Sequence, residues 1–144
     1  MKKAFQHIII DKYIESNEFG KLLGIDFEIH EPGVCEYRFN VNHSHTSIPK
    51  VAHGGFVAAL MDATMGVGAL SLVCEEMKVV STLEIKVSFY QPVLSNSEVI
   101  CVSTCLKKGK SILFMEAELK NLEGLILAKG SGTFNSYQVE KALI

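Results

Sequence analysis

The stretch from Gly54 to about Glu75 is apolar on nearly every face, and it opens directly after a loop that ends at His53. A helix with no polar side has to be enclosed on most sides, so the rest of the chain must wrap around it. Small residues along it (Ala58, Ala59, Ala63, Gly66, Gly68 and Ala69) would let the surrounding backbone come close. One charge interrupts the run, Asp62. Burying an isolated carboxylate costs several kcal/mol or forces its pKa up. The run is long enough to suggest a membrane span. Asp62, the thinning by Gly and Ala, and the strand-like sequence that follows all favour a buried core helix instead.

After this segment the hydrophobic period changes from 3.6 to 2. From Val80 to Tyr90, Leu83, Ile85, Val87 and Phe89 alternate with Thr82, Glu84, Lys86 and Ser88, and Pro92 marks the strand end. Further strands are expected over 98–106, 111–119 and 125–134. Lys107-Lys108-Gly109-Lys110 and Asn121-Leu122-Glu123-Gly124 read as the turns between them. Upstream, Phe5, Ile8, Ile9, Tyr13 and Phe19 predict one amphipathic helix over 4–20. Short strands follow at 25–29 and 34–41 around Pro32-Gly33, and 42–52 reads as a polar loop. The elements add up to an α+β fold, a curved antiparallel sheet wrapped around a long central helix, with an additional N-terminal helix.

The 144 residues suit a single domain, 1–144, and the balance of 48% hydrophobic to 21% charged residues describes a globular chain. The formal net charge is −2 with no long run of Lys or Arg, which argues against a nucleic-acid-binding surface. Cys35, Cys74, Cys101 and Cys105 form no C-x-x-C pair and read as reduced core residues of a cytosolic protein. The N-terminus lacks the apolar core of a signal peptide.

His53-Gly54-Gly55 sits where loop becomes helix. Backbone N–H groups there have no internal partners and lie at the positive end of the helix dipole. Glycines allow a substrate to approach them, which makes an oxyanion site for a polarised carbonyl. A turn that needs glycine only for packing would look the same. Asp62 likewise has a simpler reading, a carboxylate satisfied by neighbouring backbone or hydroxyl groups. Distance sharpens the choice: Gly54 and Asp62 are eight residues apart, roughly 12 Å along a helix. An oxyanion donor and a catalytic carboxylate must each lie within about 3 Å of reacting atoms. If both act on one carbonyl, the second comes from another chain. The spacing therefore predicts a two-fold homodimer with two composite sites.

Thr82 lies on the polar face of its strand, where its hydroxyl could orient a water beside Asp62; threonine is also a common strand former. His43 and His45, with His53, invite a metal reading, but the carboxylate or thiolate of a catalytic zinc set is missing at fixed spacing, so no metal site is expected. The turn Lys107-Lys108-Gly109-Lys110 is a candidate for meeting the phosphates of a nucleotide-bearing substrate, although solvated hairpin lysines have the same appearance.

With these residues in place, the sequence resembles the hotdog-fold acyl-CoA thioesterases of the phenylacetate-pathway (PaaI-like) branch. The likeness runs from Phe19-Gly20-Lys21-Leu22-Leu23-Gly24-Ile25 through His53-Gly54-Gly55 and Asp62 to Leu83–Pro92, then to Leu106–Lys110 and Ala128–Phe134. The resemblance implies that Gly54 carries the oxyanion amide and that Asp62 is the catalytic carboxylate, as general base or as nucleophile. It implies that Thr82 positions water and that the site lies between subunits of a homodimer or a dimer of dimers. Ser47 stands where many relatives have Asn or Gln, six residues before the His, and is a candidate to help hold the water. His53 shapes the helix start beside the carbonyl. Gly55 and Lys107 to Lys110 are candidates for contacting the coenzyme A portion, which enters as substrate, with no separate cofactor. Two rival readings remain: a hotdog hydratase or dehydratase, and an acyl-CoA-binding protein without turnover.

Overall fold

Alternating burial along the long strands shows which face of the sheet meets the helix. On one face Cys35, Tyr37 and Phe39, then Val99, Cys101 and Ser103, then Leu113, Met115, Ala117 and Leu119 are all buried. Their neighbours at odd spacing point outward. The computed structural model describes residues 5–142. Helices α1 (Ile8–Ser16) and α2 (Glu18–Leu23) precede strands β1 (Phe27–Glu31) and β2 (Val34–Asn40). A small hairpin of β3 (Thr46–Ile48) and β4 (Val51–Ala52) leads into α3 (Gly54–Val73). Strands β5 (Lys78–Phe89), β6 (Glu98–Lys108), β7 (Ile112–Asn121) and β8 (Ile126–Gln138) complete the fold. Six of the strands form one antiparallel sheet in the order β1-β2-β6-β7-β8-β5. It wraps α3, which packs against β1, β2, β5, β6, β7 and β8. This is the α+β arrangement expected from the sequence.

The helix is fixed from within. Leu60, Met61 and Met65 are fully buried, and each contributes about 2 kcal/mol of hydrophobic stabilisation. Gly68 faces Ser103 and the Gly33 carbonyl so closely that a Cβ there would collide with both. Gly33 N–H donates to Ser71 Oγ at 2.8 Å, and Ser103 Oγ donates to Gly33 O at 3.0 Å. The β1–β2 turn is thereby tied to α3 and to β6 at once. The stretch Gly54–Glu76 is long and apolar enough to cross a membrane, but most of it is buried against the sheet.

Several boundaries differ from expectation, each for a local reason. The single N-terminal helix is two. Asn17 breaks it and caps α2 by accepting from Gly20 N–H, and Gly24 ends α2 in the left-handed region at φ 69°. Ile9 and Ile10 are buried, whereas Ile8 and Phe19, expected on the apolar face, are exposed. The polar loop at 42–52 contains a 3-10 turn and the β3–β4 hairpin. Lys107 and Lys108 belong to β6, so the turn is shorter than expected and closes with Gly109 N–H donating to Ile112 O. Along β5, Leu83 and Phe89 are exposed, not in the core. Among the described residues that strand is at the sheet edge and pairs with β8, so Ile85 and Val87 pack partly against the core while Leu83 and Phe89 at either side stay uncovered in one chain.

Candidate functional site

Along α3, Gly54, Gly55, Ala58, Ala59, Asp62, Ala63 and Gly66 recur three and four residues apart and are exposed or half-buried. They form one stripe that the sheet does not cover. Asp62 is therefore half-buried rather than enclosed, which removes the desolvation cost that its apolar sequence neighbours suggest. Thr82 Oγ1 donates to Asp62 Oδ1 at 2.8 Å. Thr82 comes from β5, where the register with β8 slips between Thr82 and Glu84. A bulge of this kind re-aims side chains, and it is common beside functional sites. The pair lines a cavity of about 460 Å³ with Tyr13, Gly66, Val80 and Phe134 among its walls.

The start of α3 is built differently. His53, with φ −63° and ψ 135°, is its N-cap, and its Nδ1 accepts the Gly55 N–H at 2.8 Å. The Phe56 and Val57 N–H groups both reach the His53 carbonyl, at 3.0 and 3.2 Å. Gly54 N–H finds no acceptor among the described residues. One free amide thus sits at the positive end of the helix dipole. A Cβ at Gly55 would stand 2.9 Å from His53 Nδ1, so a larger residue there would push the capping imidazole aside. Replacing His53 with Ala removes the cap and is expected to lower stability by about 1 kcal/mol, roughly 3 °C in Tm. Thermal melts check this, and an unchanged Tm would contradict the capping role.

Gly54 opens onto a second cavity, of about 370 Å³, with Val57, Phe89, Tyr90 and Pro92. Asp62 and Thr82 line the first cavity but not the second, and Gly54 the second but not the first. Helix α3 is continuous between them, so the separation of roughly 12 Å holds.

The remaining sequence candidates are scattered. Ser47 is exposed on β3 and lines neither cavity. Lys108 donates to Leu72 O at 3.0 Å and to Glu76 Oε2 at 3.2 Å, which fastens it to the C-terminal end of α3. That pairing holds the Glu76 carboxyl below its usual pKa. Lys107 and Lys110 are exposed at the same end of the molecule. His45 is buried and stacked on Phe56 with centroids 4.1 Å apart. Its Nδ1 accepts from Asn42 N–H, and its Nε2 lies 3.1 Å from Leu23 O, so both nitrogens are engaged. The described residues able to converge on a metal are Glu28, His30 and Glu36, where Arg38 lies 4.0 Å from Glu36 and already supplies a cation. Sequence reasoning missed the contribution of α1 to the Asp62 cavity. Its only sequence signal was apolar periodicity, which does not say what a helix covers.

A six-stranded antiparallel sheet wrapped around one long helix, with an acid on the helix stripe left open, is the hotdog fold. The sequence model of the thioesterase superfamily matches residues 50–128, and the chain belongs to that family. Among relatives, it is similar to human acyl-coenzyme A thioesterase 13, with 25% identity over 87% of this chain and 89% of that one. Among solved structures, the Escherichia coli PaaI protein of the phenylacetic acid degradation operon superposes with a TM-score of 0.81 at 17% identity, covering 89% of this chain and 90% of that one. A hypothetical thioesterase protein with coenzyme A from Streptococcus pneumoniae superposes with a TM-score of 0.72 at 20% identity, covering 79% and 86%.

Proposed function

We propose that the protein is a cytosolic homo-oligomeric acyl-CoA thioesterase with no resident metal or redox cofactor. The observation that carries this reading is the Asp62–Thr82 pair, bonded at 2.8 Å on the wall of a cavity. Thr82 has one O–H, and it is donated to Asp62, so its oxygen lone pairs are left to accept from a water. Asp62 takes a proton from that water as its oxygen attacks the thioester carbonyl carbon. The Gly54 N–H of a second copy holds the developing oxyanion. The C–S bond then breaks, the thiolate of coenzyme A recovers the proton from Asp62, and a free acid remains. The exposed edge of β5, with Leu83, Phe89 and Tyr90 uncovered, supports the approach of another copy. Ser47, on the hairpin leading to α3, would join the site only from a neighbouring chain. The relatives add support: one is named an acyl-coenzyme A thioesterase, and one neighbouring structure holds coenzyme A.

The test is thiol release from a panel of acetyl, aromatic and long-chain acyl-CoAs by the purified protein. Release from at least one is expected. No release from any would overturn the reading, while hydration of an enoyl-CoA without thiol release would move it to the hydratase class.

A further inference from the structure

His45 is 7% exposed, and a buried imidazole is costly unless both ring nitrogens find partners. Both do, on different elements. Nδ1 accepts the Asn42 N–H at 3.0 Å, which puts the ring proton on Nε2, and Nε2–H donates to Leu23 O at 3.1 Å. Leu23 is the last residue of α2, and a helix's final carbonyls have no partner within the helix. The ring lies flat on Phe56 of α3, with centroids 4.1 Å apart and planes at 16°, and meets Phe39 of β2 edge-on at 5.4 Å. The backbone adds a further tie, since His45 O accepts the His53 N–H at 2.7 Å. We infer that His45 is a positioning residue for the oxyanion amide. It braces the first turn of α3 against α2, β2 and the 3-10 turn His43–His45, so that the Gly54 N–H is held at a fixed place and angle. The inference rests on the thioesterase reading above.

Two of its contacts bracket Gly54. One holds the backbone of His53, the residue before it, and the other holds the Phe56 ring two residues after it. His53 is also the N-cap, so a shift of its backbone moves the cap and the free amide together. His45 itself lines neither the Gly54 cavity nor the Asp62 cavity, so it acts through its neighbours and not on the substrate. An apolar side chain of the same size would fill the space. It would leave the Leu23 carbonyl and the Asn42 N–H without partners and cut the link from α2. An oxyanion donor works only when it is aimed at the place where charge develops, and a misplacement of about 1 Å can cost 10²-fold in rate.

The test is His45→Gln, which keeps a polar chain of similar reach but not the ring, assayed on the acyl-CoA that the unaltered protein hydrolyses best. An oxyanion contact acts in the transition state, so kcat is expected to fall about tenfold or more while KM stays within about twofold. An unchanged kcat overturns the inference. Subunit exchange separates positioning from general damage. Mixed with Asp62→Asn chains, His45→Gln chains supply a sound Asp62 and receive a sound Gly54, so activity should return to roughly one quarter of wild type. Mixed with Gly54→Pro chains, every site lacks a placed amide and nothing should return. Recovery with Gly54→Pro overturns the inference. So does failure with Asp62→Asn when the Gly54→Pro and Asp62→Asn pair recovers. If that pair fails too, if no acyl-CoA is hydrolysed, or if the variant does not fold, hydrogen exchange in the unaltered protein decides. The Asn42 and His53 amides, held by the ring and the carbonyl of one residue, should then open as one unit, with protection factors within about threefold of each other. Protection of one without the other overturns the brace.

Discussion

Asp62→Asn is expected to lower kcat/KM by about 10³-fold, within the range that a positioned general base contributes. The substitution is close to isosteric. Asn keeps an oxygen that can accept the Thr82 hydroxyl now bonded to Asp62 at 2.8 Å, so the fold should hold and the melting temperature should change little. What is lost is the ability to take a proton from water. Because Asp62 is half-buried and not sealed in the core, its replacement does not open a cavity or strand a buried charge. Initial rates of thiol release on the best substrate, measured beside a thermal melt, separate the chemical effect from a structural one. Full activity in the variant would remove Asp62 from the mechanism.

Gly54→Pro tests the other half of the site. Gly54 is the first residue of α3, where a proline's missing N–H costs the helix nothing and its fixed φ is already suitable. The preceding residue, His53, has φ −63° and ψ 135°, the extended conformation that a following proline requires. The variant should therefore fold with the free amide replaced by the ring carbon of proline, which also fills the place of the oxyanion, and kcat/KM should drop by at least about 10²-fold. The decisive measurement mixes the two defective proteins under conditions that let subunits exchange. A heterodimer has one site with Gly54 from one chain and Asp62 from the other, both intact, and one site lacking both. Random pairing makes half the dimers mixed, so activity should return to roughly one quarter of wild type. If both groups act within one chain, mixing restores nothing.

How far the sequence foretold this geometry depends on the kind of signal. The central helix was legible from a run too apolar to stand in water, and β6 to β8 from alternation, because burial imposes a period wherever one face is covered. Alternation misled along β5. Leu83 and Phe89 repeat like core residues but are exposed, because an edge strand has a face that only another molecule can cover. The register slip after Thr82 had no sequence mark, since a bulge depends on the partner strand as much as on its own residues. The eight-residue spacing of Gly54 and Asp62 was readable as a distance, and the two separate cavities follow from it. The lysines of the β6–β7 connection looked like one positive cluster. Lys108 instead caps the end of α3, a long-range contact that local composition does not reveal. The division of the N-terminal helix at Asn17 was hidden for the opposite reason, since one side-chain bond to Gly20 outweighs an apolar pattern that continues through the break.

The two cavities on one chain, each holding what the other lacks, also bear on how such a protein behaves when scarce. With Gly54 and Asp62 facing different spaces, the two-copy site proposed above makes a solitary chain an unfinished tool. Below the concentration at which copies associate, the amount of working enzyme follows the square of the amount of protein. Doubling expression there would quadruple the catalytic capacity, and halving it would cut that capacity to a quarter. Abundance then tunes activity more steeply than in proportion, over a range set by the affinity of one copy for another.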